Sequence, residues 1–172
     1  PVAKQVSRKP LIVIDPGHGG KDPGASSKTG VREKDVVLDA AKALREELLA
    51  SQRYDVALTR STDVFIELED RVTKARNLGA DLFIALHADA GSNSETSGAS
   101  VYTLSPEGEK RVDGARKQND WILDVEVDSS RPEVVNQILA DLVQRETKNQ
   151  SARFAQMLAV SIGERGWPTL EN

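Results

Sequence analysis

The chain has 172 residues, 38% of them hydrophobic and 29% charged, with no cysteine and a formal net charge of -4. That length suffices for one globular domain with its own core. The composition excludes disulfides, cysteine-held metal and a nucleic-acid partner held by bulk electrostatics, and no apolar run is long enough to span a membrane. Residues 1–10 are polar and basic, and are expected to be a linker or tag remnant ahead of a domain over 11–172. The chain opens Pro1-Val2 rather than with Met, which reads as a processed or excised piece. The missing targeting segment therefore excludes nothing.

PLIVID (Pro10–Asp15) is an apolar run of strand length, of the kind buried on both faces. EKDVVLDAAKALREELLAS (Glu33–Ser51) predicts a helix with Val37, Ala40, Ala41, Leu44 and Leu48 on one face. RYDVALTR (Arg53–Arg60) predicts a strand. ELEDRVTKARNLGA (Glu67–Ala80) predicts a helix that stops at Gly79. DLFIALHAD (Asp81–Asp89) predicts a second buried strand, followed by the turn-rich AGSNSETSG. ASVYTLS (Ala99–Ser105) predicts a fourth strand. The alternation of strands and helices implies an α/β domain with a mostly parallel sheet.

Further on, SSRPEVVNQILADLVQRE (Ser129–Glu146) has the marks of a helix start. Ser130 and Glu133 match an S-x-x-E capping box, with Pro132 in the first turn. Val135, Ile138, Leu139 and Leu142 make an apolar stripe. ARFAQMLAVSIGERG (Ala152–Gly166) resumes an amphipathic helix through Phe154, Leu158 and Ile162.

The first strand runs into DPGHGGKDPGA, a turn of tightly specified backbone that carries His18, one of two histidines in the chain. The other, His87, ends the DLFIALHAD strand together with Asp89, and Glu33 opens the first helix. Ligands in open α/β sheets bind outside the carboxyl ends of the strands, so parallel neighbours would bring both imidazoles to one crevice. GHGGKD is neither G-x-G-x-x-G nor a P-loop, and no G-x-S-x-G elbow is present. Two histidines and a glutamate are a known catalytic zinc set with one open position. The bland readings remain beside it: a surface loop histidine, a strand-end histidine bonded to a carbonyl, and a glutamate placed to suit the helix dipole. Spacing alone leaves both readings standing, because no short H-E-x-x-H motif ties the residues together.

IVIDPGHGGKDPGA, GVREKDVVLDAAKAL, VALTRSTDVFIELEDRVTKARNLGADLFIALHADA and SGASVYTLS occur in order over Leu11 to about Ser105. In these stretches the chain resembles the zinc-dependent N-acetylmuramoyl-L-alanine amidases, and most of all the cell-division amidases of Gram-negative bacteria. The resemblance implies a twisted sheet of about six strands flanked by helices. It implies zinc held by His18, Glu33 and His87, with Asp89 beside them touching the metal or its ligands. The implied reaction is hydrolysis of the amide between N-acetylmuramic acid and L-alanine of the peptidoglycan stem peptide, in the periplasm, to split the septal wall in division. Family members carry a catalytic glutamate on a later strand. This chain ends GERGWPTLEN, neither Glu164 nor Glu171 has that setting, and a C-terminally incomplete domain is expected.

The connection from about 105 to 150 is long and acidic for a compact domain. By resemblance it is a regulatory insert whose helix covers the zinc site until an activator protein displaces it. Glu133 is the first candidate for a zinc-blocking ligand, and Asp120 and Glu126 are weaker ones; the other reading of Glu133 is the helix cap. Two further functions stay open: a non-catalytic cell-wall binding module, and a zinc carboxypeptidase on stem peptides whose carboxylate clamp would be Arg60 and Arg71.

Overall fold

The computed structural model describes residues 8–88, 97–104 and 132–169. They belong to two compact units, Pro1–Ser92 and Asn93–Asn172. The first unit contains β1 (Leu11–Pro16), α1 (Glu33–Ala50), β2 (Asp55–Leu58), α2 (Leu68–Asn77) and β3 (Leu82–Leu86). The three strands form a parallel sheet in the order β2-β1-β3. Parallel neighbours need a crossover, and α1 and α2 lie in the two connections. The fold is thus α/β with a parallel sheet and helices, and three strands lie among the described residues.

β1 is central, and its apolar run is buried as expected: Val13 and Ile14 are fully buried. Register aligns Ile12 with Val56 and Leu82, and Ile14 with Leu58 and Ile84. Those rows pack with Ala41, Leu44 and Leu48 of α1 to make the core. On α1 the buried face differs in one residue from the sequence reading. Ala40 is exposed, and Leu38 is buried in its place. Lys34, Leu38 and Ala41 stack at helical i, i+4 and i+7 spacing, which turns the buried stripe away from Ala40. Side chains alternate along a strand, so Val13 and Asp15 face the opposite side. There α2 supplies Arg71, which pairs with Asp15 at 3.0 Å.

β3 departs from the expectation of a strand buried on both faces. Leu82, Ile84 and Leu86 pack on the core, but Phe83 and Ala85 are exposed. β3 is an edge strand among the described residues, covered on one face. Beyond the sheet's other end, Arg8 donates to both oxygens of Asp81 at 2.8 and 2.9 Å. Ordered ties to the sheet therefore reach back into the segment read as linker.

In the second unit, α3 (Glu133–Glu164) is one helix of 32 residues where two were expected. At 1.5 Å per residue it is about 48 Å long. No glycine or proline falls between Glu133 and Ile162 to break it. Its start corrects the capping-box reading. Pro132 is the N-cap, with ψ 139°, and Glu133 is the first helical residue rather than the third. A proline disfavours helical backbone at the residue before it, which works against any helix start ahead of Pro132. ASVYTLS is corrected as well. Residues 99–104 form no strand, and only Ala99 makes a bridge, to Thr169. Asp89 and residues 105–131, with Asp120, Glu126 and Ser130, lie outside the described residues, as does the side chain of Glu133. No described helix is long and apolar enough to cross a membrane.

Candidate metal centre

β1 and β3 end at the same rim. Pro16 pairs with Leu86, and the Gly17 N–H donates to the Leu86 carbonyl at 3.0 Å, carrying the ladder one residue further. His18 and His87 therefore leave the sheet side by side, with ring centroids 5.0 Å apart. Glu33 comes to them because the start of α1 is sewn to the same loop. Its N–H donates to Ala25 O at 2.8 Å, and that of Lys34 to Pro23 O at 3.2 Å. The result is one cluster: His18, Glu33 and His87 each offer a ligand atom, all within 4.8 Å of one another. Glu33 Oε1 lies 3.0 Å from His18 Nε2 and 3.1 Å from His87 Nδ1. The Glu33 carboxylate is buried, whereas the His87 ring is 47% exposed, so the cluster has a protein floor and a solvent side.

Several glycines of the loop leave no room for a Cβ, and at Gly17 and Gly24 the obstacle is the ligand set itself. A Cβ on Gly17 would lie 2.7 Å from His87 Nε2, inside the ring's contact surface. Gly24 has φ +65°, and a Cβ there would lie 2.6 Å from His18 Cδ2 and 2.7 Å from Glu33 Oε2. His18 itself sits at φ +60°, a left-handed conformation that costs a non-glycine residue about 1–3 kcal/mol.

The electrostatics suit a cation. Asp22 Oδ2 takes His18 Nδ1 at 2.8 Å, and Asp22 Oδ1 accepts the Gly24 N–H at 3.0 Å. A neutral imidazole has one N–H. With that proton on Nδ1, the Nε2 lone pair faces Glu33 Oε1, an arrangement relieved by a positive ion between them. His18 and Gly24 together hold the Asp22 carboxyl below the usual carboxylate range. Burial pushes the Glu33 carboxyl up, but the N–H groups of Ala25 and Ala88 and the two histidines outweigh it, so it stays below its ordinary value. Two imidazoles and one ionised carboxylate are a donor set for zinc or a similar divalent ion.

Sequence reading missed what holds the loop. Arg71 donates to Asp15, to Pro16 O at 2.9 Å, to His18 O at 2.7 Å and to Ile66 O at 2.9 Å. Arg60 donates to Pro16 O, Gly17 O and Lys34 O at 2.7–3.0 Å. Thr59 donates its hydroxyl to Asp15. Both arginines are buried, and burial first of all lowers the Arg60 pKa. Their guanidinium groups are committed to main-chain carbonyls, which overturns the reading of Arg60 and Arg71 as a carboxylate clamp for a carboxypeptidase. Asp22 had a sequence signal: it follows His18 by four residues and precedes Gly24 by two, the spacing of an Asx turn.

Fold and site define an α/β protein with a His2Glu cluster, able to hold a divalent metal, at the carboxyl rim of a parallel sheet. The chain belongs to the N-acetylmuramoyl-L-alanine amidase family, whose model matches residues 12–167. It is 40% identical over 167 residues to the amidase AmiA of Salmonella typhimurium, covering 94% of this chain and 57% of that protein. It is 39% identical over 157 residues to AmiC of Escherichia coli, covering 90% of this chain and 38% of that protein. The chain thus spans between 38% and 57% of the length of these curated relatives. Among solved structures, the catalytic domain of the amidase CwlV from Bacillus (Paenibacillus) polymyxa aligns with a TM-score of 0.53 at 34% identity, over 63% of this chain and 61% of that one.

The Asp22 contact generates a prediction. Carboxylates that orient a ligating histidine typically contribute about 10- to 100-fold to metal affinity. Asp22→Ala should weaken the binding of a divalent ion by that factor, with zinc as the probe in competition with a chelator of known affinity. Unchanged affinity would leave Asp22 as a turn residue only.

Proposed function

We propose that the chain is the catalytic part of a zinc-dependent amidase that cleaves the bond between N-acetylmuramic acid and L-alanine of the peptidoglycan stem peptide. The observation that carries this reading is the convergence of His18, Glu33 and His87 in a chain of the amidase family. These three are the proposed zinc ligands, with Asp89 next to them. Zinc, when bound, supplies Lewis acidity toward the amide carbonyl and lowers the pKa of water to about 7. The residues do the rest of the positioning. Asp22 fixes the His18 ring, the Ala25 and Ala88 N–H groups fix the two oxygens of Glu33, and the exposed side of His87 leaves an approach for substrate. The substrate polymer lies outside the inner membrane, so the proposed location is the periplasm and the proposed role is septal wall splitting. A sheet of about six strands in the whole protein is part of the same reading.

The regulatory half of the proposal concerns residues 105–150. A carboxylate of this insert, Glu133 first, completes the zinc shell, and an activator protein draws the helix away. The position of Glu133 at the start of α3, with Val135, Ile138 and Leu142 exposed along the following turns, supports it. Opening a site closed 99 to 1 takes about 2.7 kcal/mol of differential binding to reach parity.

Two outcomes are expected. Full-length protein acting on purified peptidoglycan should release intact stem peptides with a free L-alanine amine, detected by mass spectrometry. A chelator should stop the release and zinc should restore it. Loss of a terminal residue from stems still attached to glycan would instead mark a carboxypeptidase, and no product from either the wild type or the Glu133→Ala variant would mark a binding module. Glu133→Ala in the same protein, assayed without activator, should raise basal hydrolysis well above wild type at equal zinc content. Unchanged basal activity would remove Glu133 from the blocking role.

A further inference from the structure

Lys34 is placed at a cost. It is the second residue of α1 and 4% exposed, at the helix end where the macrodipole disfavours a cation. A buried ammonium is tolerated only when partners replace its water. Here Nζ donates to Gly20 O at 2.8 Å and to Asp63 Oδ2 at 2.6 Å. The other oxygen of Asp63 accepts the Gly20 N–H at 2.7 Å. Both main-chain polar groups of Gly20 thus end on the two halves of one ion pair. These contacts with Lys34, then with Gly20, hold the Asp63 carboxyl below its ordinary range.

The placement matters because of the neighbours. Gly20 is two residues from His18, and Lys34 follows Glu33 directly. A second tie runs parallel to the first: Arg60 Nη2 spans Gly17 O at 2.7 Å and Lys34 O at 2.9 Å. The loop bearing His18 is therefore fastened before and after that residue to the first turn of α1, which bears Glu33. Its own backbone, with His18 left-handed, has no intrinsic preference for this shape.

We propose that Lys34 and Asp63 are positioning residues for the metal, a brace on Gly20 that sets the separation between His18 and Glu33. The brace rests on the zinc reading above. It acts through the ligands and touches neither substrate nor metal. Asp63 comes from the β2–α2 connection, so the brace also makes that connection part of the site's support.

The test uses the full-length protein with Asp63→Ala, Lys34→Met and the double variant. The Asp63 side chain is 46% exposed, so its removal opens no core cavity, and the Gly20 carbonyl still accepts from Lys34. Zinc affinity is measured by chelator competition, the thermal midpoint on the metal-free form, and ligand geometry from the visible spectrum of the cobalt(II)-substituted protein. Each single variant should bind zinc about 10- to 100-fold more weakly, the range for groups that orient metal ligands. The double variant should lose no more than the weaker single, because the two residues act as one unit. The cobalt bands should shift; the metal-free midpoint should fall as well in Asp63→Ala, which strands the buried Lys34 ammonium, so zinc affinity and the cobalt spectrum carry the decision. Zinc affinity and cobalt spectrum equal to wild type, with only the midpoint lowered, overturn the brace and leave a stabilising ion pair. If Lys34→Met does not fold, Asp63→Ala decides by the same readouts. A wild-type protein that takes up no zinc overturns the metal reading and the brace with it; the brace fails alone only where wild type binds.

Discussion

The site depends on buried cations that hold the carbonyls of the loop after β1. Pro16, Gly17, His18 and Gly20 all turn their carbonyls toward Arg60, Arg71 or Lys34. Hydrogen bonds from charged donors contribute about 1.5–3 kcal/mol each. The left-handed conformation of His18 costs about 1–3 kcal/mol. One Arg71 bond to the His18 carbonyl is thus comparable to the strain at that residue, and the remaining bonds fix the rest of the loop. The cations are in turn tolerated in the interior because Asp15 and Asp63 answer them, at Arg71 and Lys34 respectively. Loop, strand β1 and the β2–α2 connection therefore stand or fall together.

Much of the frame was legible in the sequence, for physical reasons. The apolar run at Leu11–Ile14 admits little except a central strand, and the 3.6-residue period of α1 fixes its core face to within one residue. What failed were features decided by tertiary surroundings. Ala40 and Leu38 differ by which flank of the stripe the sheet meets. Phe83 is apolar yet exposed, because among the described residues β3 is covered on one face only, which composition does not reveal. ASVYTLS has strand composition, but a strand exists only where a ladder partner lies beside it. Pro132 set the start of α3 by sterics that outweighed an S-x-x-E pattern.

The site divides in the same way. His18 and His87 could be placed at one rim because strand ends in a parallel sheet share a side, and Glu33 because the first helix must return beside the loop it leaves. The supporting residues were not legible. Arg60 and Arg71 stand 43 to 56 residues from the Asp15, Pro16 and Gly17 groups they bind, and a sequence shows no sign that an arginine is buried. Lys34 reads as one more charge on a solvated helix face until its two acceptors are known. The packing explains how two imidazoles and a carboxylate are kept on one point.

The proposed zinc site is formed by His18, Glu33 and His87. Anomalous diffraction at the zinc edge, on crystals of the zinc-loaded full-length protein, tests it most directly. A single strong peak is expected within about 2.0–2.2 Å of a ring nitrogen of each histidine and a Glu33 oxygen. A peak on other residues, or a loaded protein with no peak among these three, would contradict it.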